Sequence, residues 1–228
     1  MSAAPSDGNP ASPALPTRDV RHGSPAGDRW RDPPSPGLPA FFLHGLGSSA
    51  EDFRRAWGRT VTGLPAIFLD GPEPDRLTSA RRWYPFTARP EAMARGVAGA
   101  ADFAESRIAE ELNVRGLAQD APLALVGHSQ GAMVCLELLR RGALHAVYLA
   151  SFAGRLAPMS PPPTPAAPAD VHLFSSRADL FVRWVDVEDT AAVLREHPGL
   201  RVRHHVCRLP HQFSLDWLDP ANFLETPP

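Results

Sequence analysis

The chain alternates between short apolar runs and segments with the periodicity of helices, and this alternation restricts its fold more than any other feature. Continuous apolar runs are typical of strands that are buried on both faces, as in a parallel sheet. We therefore predict strands of one central sheet at six such runs. They occupy residues 40–43, 66–69, 123–126, 146–149, 171–174 and 202–209.

Helical patterns separate several of these runs. Apolar residues in the range 97–112 recur at steps of 3 or 4 residues, which places one apolar stripe along a helix. Residues 132–141 and 189–196 are predicted to form two further helices, and Ser48 with Glu51 has the spacing of a capping box that opens a helix. This order of elements predicts an α/β fold with a mostly parallel central sheet and helices on both faces.

Length and composition favour one folded domain. The chain has 228 residues, of which 43% are hydrophobic, enough for one sizeable core. Residues 1–37 are rich in proline, glycine, serine and aspartate and lack apolar periodicity. We therefore expect a disordered tail followed by a single domain over residues 38–228. A second proline-rich stretch, residues 159–168, is predicted to be a surface loop.

The charge pattern and the cysteines exclude several classes of function. The formal net charge is −2 and no basic patch occurs, so we expect no nucleic-acid partner. The sequence shows neither an apolar stretch of about 18 residues nor a signal-peptide pattern, so we expect no membrane span and a cytoplasmic location. Cys135 and Cys207 lack the close spacing of a zinc or redox pair, and both are predicted to be buried thiols.

Residues 127–131 read Gly-His-Ser-Gln-Gly and match the G-x-S-x-G motif. The motif follows a predicted strand and precedes a predicted helix, which is the context that a nucleophile elbow requires. The glycines permit a tight turn that exposes the hydroxyl of Ser129 above the sheet, and the helix N-terminus favours developing negative charge. Ser129 is therefore the predicted nucleophile.

A serine hydroxyl needs an adjacent base, and the chain offers nine histidines. Functional groups of open α/β sheets lie at the carboxyl ends of the strands, which excludes histidines at the start of predicted strands or within them. His211 follows the last predicted strand and comes after Ser129, as the order Ser…Asp…His requires. The same rule selects Asp179, just after the strand at 171–174, as the acid that orients the imidazole. Asp186 is the alternative acid.

A tetrahedral intermediate needs preorganised hydrogen-bond donors at its oxyanion. We expect one donor to be the backbone N–H of Gln130, directly after the nucleophile. The other is expected to be the N–H of Leu46, in the glycine-containing loop at residues 44–48. His44 and His128 also stand at strand ends. Both are interpreted as structural, because the elbow should turn His128 away from the hydroxyl.

Several segments resemble the phospholipase/carboxylesterase family of the α/β-hydrolase fold, which includes acyl-protein thioesterases. They read Leu-His-Gly-Leu-Gly-Ser at residues 43–48, Arg-Trp-Tyr at 82–84 and Gly-His-Ser-Gln-Gly-Ala at 127–132. The resemblance covers roughly residues 39–224. It implies hydrolysis of carboxylic esters or thioesters without a cofactor, an oxyanion hole from Leu46 and Gln130, and no large cap domain. The chain departs from the family at His128, where a bulky apolar residue is usual, and at residues 175–176, where Ser-Ser replaces the usual His-Gly.

Apolar side chains in the loop at residues 71–95 are expected to border the site. Trp83 in this loop and Phe181 in the acid loop are the predicted substrate contacts, in a groove for a short to medium acyl chain. Packing of such rings into the core beneath the loop is the alternative. No compact charged pocket is evident, so strongly anionic substrates are not expected. The apolar set comprises Leu46, Leu77, Trp83, Tyr84, Phe86, Leu180 and Phe181.

The predicted activity is hydrolysis of a small-molecule ester or thioester through an acyl-enzyme on Ser129. Two other functions use the same residues. Acyl transfer to a different acceptor passes through the same acyl-enzyme. A non-catalytic binding module could keep the pocket, although a complete set of Ser129, Asp179 and His211 argues against it.

Overall fold

The computed structural model describes residues 34–61, 64–74 and 80–225. Its helices and strands follow the predicted alternation, although the helices predicted at residues 97–112 and 189–196 begin earlier, at Pro90 and Trp184. The α-helices are α1 (Ala50–Trp57), α2 (Pro90–Val114), α3 (Gln130–Arg141) and α4 (Trp184–Arg195). The strands are β1 (Ala40–Leu43), β2 (Ala66–Leu69), β3 (Glu73–Pro74), β4 (Arg81–Arg82), β5 (Leu123–His128), β6 (Ala146–Phe152), β7 (Ala169–Ser176), β8 (Leu200–Cys207) and β9 (Phe223–Glu225).

Seven of these strands form one sheet in the order β2-β1-β5-β6-β7-β8-β9. All neighbouring pairs are parallel except β8 with β9, which is antiparallel. The predicted fold class, a mostly parallel sheet with helices on both faces, is therefore confirmed. The prediction did not include β9, nor the short antiparallel pair of β3 and β4 that stands apart from the sheet.

Successive side chains along the strands point alternately into two separate hydrophobic layers, one on each face of the sheet. Phe41 and Leu43 of β1 point into a layer with buried residues of α2, α3 and α4, whereas Ala40 and Phe42 point into a layer with residues of α1. Side chains of a strand alternate with a period of two, so a strand covered on both faces must be apolar throughout. This explains why the runs were continuous rather than alternating.

The chain changes direction within the sheet at β1. It first moves outward to β2 and then returns, through α2, to β5 on the other side of β1. Ligand sites of open α/β sheets lie at the carboxyl ends of strands at such a switch point. The loop after β1 and the turn after β5, which carries Ser129, therefore meet at this edge.

Two details of the predicted elements need correction. The cap of α1 is Ser49 rather than Ser48, because the hydroxyl of Ser49 accepts a hydrogen bond from the backbone N–H of Asp52 at 3.1 Å. Ser48 instead forms an isolated β-bridge with Arg81. The last strand of the parallel set ends at Cys207, two residues before the predicted end at Leu209.

Other expectations concern the ends and the surface of the domain. Residues 1–33 of the expected tail lie outside the described residues. Residues 159–168 form neither helix nor strand and are largely exposed, as predicted for a loop. Cys135 and Cys207 are both buried, and burial raises the pKa of each thiol. Within the described ranges no helix is long and apolar enough to cross a membrane.

Two glycines in helices provide a matched test of the packing beneath the site. A Cβ at Gly131 in α3 would lie 2.2 Å from the carbonyl oxygen of Leu43, whereas a Cβ at Gly99 in α2 would meet nothing within 4 Å. We expect Gly131→Ala to lower the free energy of unfolding by about 1–3 kcal/mol or more, because backbone must shift. Gly99→Ala should raise it by about 0.5–1 kcal/mol. Urea denaturation measures both, and equal effects would contradict this close approach.

Candidate active site

The turn between β5 and α3 holds Ser129 in a backbone conformation that is rare for residues other than glycine. Its φ is 52° and its ψ is −116°, a strained combination that persists only where the surroundings enforce it. The N–H of Ser129 donates to the carbonyl of Phe152 at 2.8 Å. A Cβ at Gly127 would lie 2.6 Å from backbone atoms of Ala132. Gly127 therefore allows the end of β5 and the start of α3 to approach closely.

The structure brings together the three residues that the sequence selected. The Nε2 atom of His211 lies 2.9 Å from the hydroxyl oxygen of Ser129, and its Nδ1 atom lies 2.7 Å from a carboxylate oxygen of Asp179. These residues follow three different strands, β5, β7 and β8, at the same edge of the sheet. In this order of contacts, Nδ1–H donates to the carboxylate and Nε2 is free to accept the hydroxyl proton.

The carboxylate of Asp179 is fully buried and remains an anion. Its second oxygen accepts hydrogen bonds from the backbone N–H groups of Phe181 at 2.8 Å and Val182 at 2.9 Å. Burial alone would raise the pKa of Asp179, but hydrogen bonds from His211, Val182 and Phe181 outweigh burial and hold the pKa below its usual value. The alternative acid, Asp186, pairs with Arg183 instead.

Side chains from elsewhere in the fold hold the loop that carries His211. Residues 208–214 form neither helix nor strand, so their carbonyls need partners outside regular structure. The hydroxyl of Ser176 donates to the carbonyl of Leu209, and the indole of Trp217 donates to that of Gln212 at 3.2 Å. Ser176 also accepts from the N–H of Ala178 at 3.0 Å. Because Ala178 precedes Asp179, one hydroxyl links the acid loop to the histidine loop.

His128 provides a third anchor for the same loop. Its Nε2 atom lies 2.7 Å from the carbonyl oxygen of His211, which requires a proton on Nε2. Burial lowers the pKa of His128 to about 4, so the ring is neutral near pH 7. His128 also lines the cavity beside Ser129. The interpretation of His128 as structural fits its hydrogen bond to a backbone carbonyl.

The loop after β1 is held rigidly beside Ser129. His44 is fully buried, donates from Nδ1 to the carbonyl of Gly45 at 2.7 Å and accepts at Nε2 from the N–H of Gly71 at 3.1 Å. The N–H of Gly47 donates to the carbonyl of Arg81 at 3.1 Å. Leu46, between these two anchors, is 46% exposed. The loop thus presents Leu46 toward solvent on a fixed backbone.

The side chain of Gln130 has a role that the motif did not reveal. Its Oε1 atom accepts from the N–H of Trp83 at 3.1 Å, and its Nε2 atom donates to the carbonyl of Tyr84 at 3.0 Å. The indole of Trp83 in turn donates to the carbonyl of His44 at 2.8 Å. Gln130 therefore fastens the predicted substrate loop to the elbow through both of its amide atoms.

A cavity of about 270 Å³ opens beside Ser129. Phe181, one of the two predicted substrate contacts, lies on its wall, and its ring centroid is 5.0 Å from that of His211. The expectation for Trp83 is corrected, because this side chain is 2% exposed and packs in the core beneath the loop. Leu77 lies outside the described residues. The cavity is lined by Leu46, Tyr84, Phe86, Thr87, Met93, His128, Ser129, Gln130, Met133, Arg155, Phe181, Val182, His211 and Gln212.

A second serine–histidine–carboxylate chain lies between β7, β8 and α4. The hydroxyl of Ser175 is 2.7 Å from Nε2 of His204, whose Nδ1 is 2.5 Å from a carboxylate oxygen of Glu188. Ser175 is 1% exposed, so no substrate can reach its hydroxyl without opening the helix layer. Burial and access therefore separate this network from the one at Ser129. Among the described residues, no three His, Cys, Asp or Glu side chains are grouped to hold a metal ion.

Comparison with known proteins agrees with this architecture. The family model described as the alpha/beta hydrolase family matches residues 40–228, which is most of the chain. The chain belongs to the α/β-hydrolase family. The resemblance seen in the sequence is confirmed at this level. A comparison with curated proteins gives no match.

Several solved structures share the fold. Esterase PE8 superposes with a TM-score of 0.68 at 24% identity, covering 82% of this chain and 90% of that one. The carboxylesterase of Bacillus cereus gives 0.68 at 15% identity, with 82% and 86% covered. The carboxylesterase of Mesorhizobium loti gives 0.62 at 20%, with 81% and 85% covered. At these identities the similarity shows that the fold is shared and does not assign an activity.

The buried, neutral His128 should make this hydrolase-family protein sensitive to acid. In the unfolded chain this histidine binds a proton near its ordinary pKa of 6.5, whereas in the folded chain it does so only near pH 4. Between these values the unfolded state binds more protons, so stability falls as the pH falls through this window. We expect His128→Phe to reduce the loss of unfolding free energy between pH 7 and pH 4.5 by about 2–3 kcal/mol.

Urea denaturation of both proteins at the two pH values measures this difference. All other histidines and carboxylates are common to the two proteins, so the contributions of those that do not contact His128 cancel in the comparison. An identical pH dependence of the unfolding free energy in wild type and His128→Phe would contradict a neutral, buried His128.

Proposed function

We propose that this protein is a serine hydrolase that cleaves carboxylic esters or thioesters of small molecules. The observation that carries the proposal is the chain of two hydrogen bonds from Ser129 through His211 to Asp179, at the wall of an apolar cavity. The carboxylate fixes the tautomer in which Nε2 accepts a proton, and Nε2 is 2.9 Å from the serine oxygen. A hydroxyl in that position becomes a nucleophile during attack.

The first half-reaction forms an acyl-enzyme. The Oγ atom of Ser129 attacks the carbonyl carbon of the substrate while its proton passes to Nε2 of His211. The anion of Asp179 stabilises the imidazolium that results. When the tetrahedral intermediate collapses, His211 returns the proton to the leaving oxygen or sulfur, and the acyl group stays on Ser129.

Backbone N–H groups stabilise the negative charge that develops on the carbonyl oxygen. We assign this role to Gln130, at the N-terminus of α3, and to Leu46, on the anchored loop after β1. Both line the same cavity as Ser129. Donors that are already oriented need no reorganisation during the reaction, and one such donor contributes on the order of 10²–10³ in rate.

The second half-reaction releases the acid. Water loses a proton to Nε2 of His211 and attacks the acyl carbon, and the serine hydroxyl leaves with that proton. The side chain of His211 keeps 19% of its surface exposed, so water can reach it. We therefore propose hydrolysis, rather than transfer to another acceptor, as the fate of the acyl-enzyme.

Substitution of the three residues tests the proposal. We expect Ser129→Ala and His211→Ala each to lower kcat for p-nitrophenyl butyrate and its thioester counterpart by about 10⁴-fold or more, because members of such a triad act as a unit. Asp179→Asn should also be severe. Asp186→Asn and Ser175→Ala serve as matched controls and should retain activity within about threefold. Folding of each variant is checked by circular dichroism.

The same set of variants can contradict the proposal. Full activity in a folded Ser129→Ala protein would rule out Ser129 as the nucleophile. Greater damage from Asp186→Asn than from Asp179→Asn would show that Asp186, and not Asp179, is the acid. Loss of activity in Ser175→Ala would indicate that the reaction uses the second network.

A further inference from the structure

One charged side chain, Arg155, lies on the otherwise largely apolar wall of the cavity beside Ser129. It follows β6 by three residues, at the carboxyl edge of the sheet. Phe152, the last residue of β6, is bonded to the N–H of Ser129. Three residues span at most about 11 Å, so Arg155 lies within reach of an acyl group attached to Ser129. The apolar set found in the sequence did not include this residue.

The guanidinium of Arg155 has no acidic partner in the described part of the chain. Its Nη1 donates to the carbonyl of Leu156 at 3.2 Å, and its Nη2 contacts the sulfur of Met93 at 3.4 Å. A thioether is a weak acceptor, and a guanidinium carries five N–H donors. Most of its capacity for charge-assisted hydrogen bonds is therefore unused by these neutral partners. A carboxylate matches the fork of a guanidinium in both charge and geometry.

The backbone that carries Arg155 is fixed on both sides. The N–H of Ala153 donates to the carbonyl of Phe174 at 2.8 Å, and the N–H of Leu156 donates to the hydroxyl of Thr190 at 3.0 Å. Thr190 is itself bonded to the carbonyl of Asp186 in α4. The cation thus stands on an anchored segment rather than on a mobile loop, and less entropy is lost when a ligand binds.

The surroundings of the guanidinium are neutral. The hydroxyl of Tyr84, on the same wall, donates to the sulfur of Met133 at 3.1 Å. Burial raises the pKa of the Tyr84 phenol, and the nearby charge of Arg155 opposes that rise. The cavity therefore holds a cation with neutral and apolar neighbours. In such surroundings a charge interaction is screened less than in water.

We propose that Arg155 binds a carboxylate at the far end of the acyl chain, which makes monoesters or monothioesters of short aliphatic dicarboxylic acids the preferred substrates. This inference rests on the proposed function and revises the expectation that anionic substrates are disfavoured. The methylenes of the chain lie against the apolar wall, Ser129 attacks the carbonyl at one end, and the guanidinium of Arg155 donates to the carboxylate at the other.

Three substrates of equal chain length separate charge from size. Ethyl hexanoate ends in a methyl group, monoethyl adipate ends in a carboxylate, and the ethyl ester of adipamic acid ends in a neutral primary amide of the same size as the carboxylate. We expect the wild-type protein to hydrolyse monoethyl adipate with a kcat/KM about 10-fold or more above that of the ethyl ester of adipamic acid at pH 8. A pH-stat measures all three reactions.

Substitutions at the cation test the assignment to Arg155. Arg155→Gln should reduce the ratio of kcat/KM for monoethyl adipate to that for ethyl hexanoate by about 10-fold or more, and Arg155→Lys should restore part of it. Arg95→Gln is the matched control, since Arg95 is exposed on α2, two residues from Met93. This control should keep the ratio of the wild type.

A binding measurement keeps the two proposals separate. Titration calorimetry of Ser129→Ala, with and without Arg155→Gln, uses adipate and hexanoate as probes and needs no turnover. We expect adipate to bind at least 10-fold more weakly when Arg155 is replaced. Equal adipate affinity in the two proteins, or no measurable adipate binding, would overturn the inference even if esters are hydrolysed. Failure to hydrolyse any of the three esters, with Arg155-dependent adipate binding intact, would overturn only the proposed hydrolysis.

Discussion

At the carboxyl edge of the sheet, the ends of β1 and β5 lie very close to the first turn of α3. The rest of the site depends on this close approach of backbone. The first turn of α3 lies so near the end of β1 that a side chain at Gly131 would overlap the carbonyl of Leu43. This contact places the loop after β1 beside Ser129. In the same turn Ser129 has a φ of 52°, a conformation that persists only where the surroundings enforce it. The turn follows β5, which pairs with the largely buried strands β1 and β6 on its two sides.

The rest of the site is built from hydrogen bonds that fix irregular backbone. Ser176, His128 and Trp217 each satisfy one carbonyl of the histidine loop, and Gln130 fastens the loop of Trp83 and Tyr84. A catalytic constellation requires positions held within about 0.5 Å, which loops alone do not provide. The chain departs from the family that it resembles at His128 and at residues 175–176. His128 and Ser176 each bond a carbonyl of the histidine loop, and Ser175 is the neighbour of Ser176.

Much of the fold could be predicted because burial on both faces leaves a clear signal. The continuous apolar runs marked every strand of the parallel set, and the rule that sites lie at carboxyl ends selected three residues that the structure places in contact. Short pairings such as β3 with β4 carry no apolar pattern. Trp83 and Tyr84 are adjacent, and only packing decides which ring reaches the cavity. Arg155 lies in a loop after a strand and belongs to no recognisable motif. Its place in the cavity is therefore evident only from the tertiary structure.

The central claim is that the geometry around Ser129 activates this hydroxyl and no other. Labelling of the intact protein with a fluorophosphonate, followed by mass spectrometry of its peptides, tests it most directly, because the probe reacts with activated serines without requiring a known substrate. The account predicts one adduct per chain, located on Ser129 and lost in His211→Ala. An unlabelled protein, or an adduct on Ser175 in the second network, would contradict it.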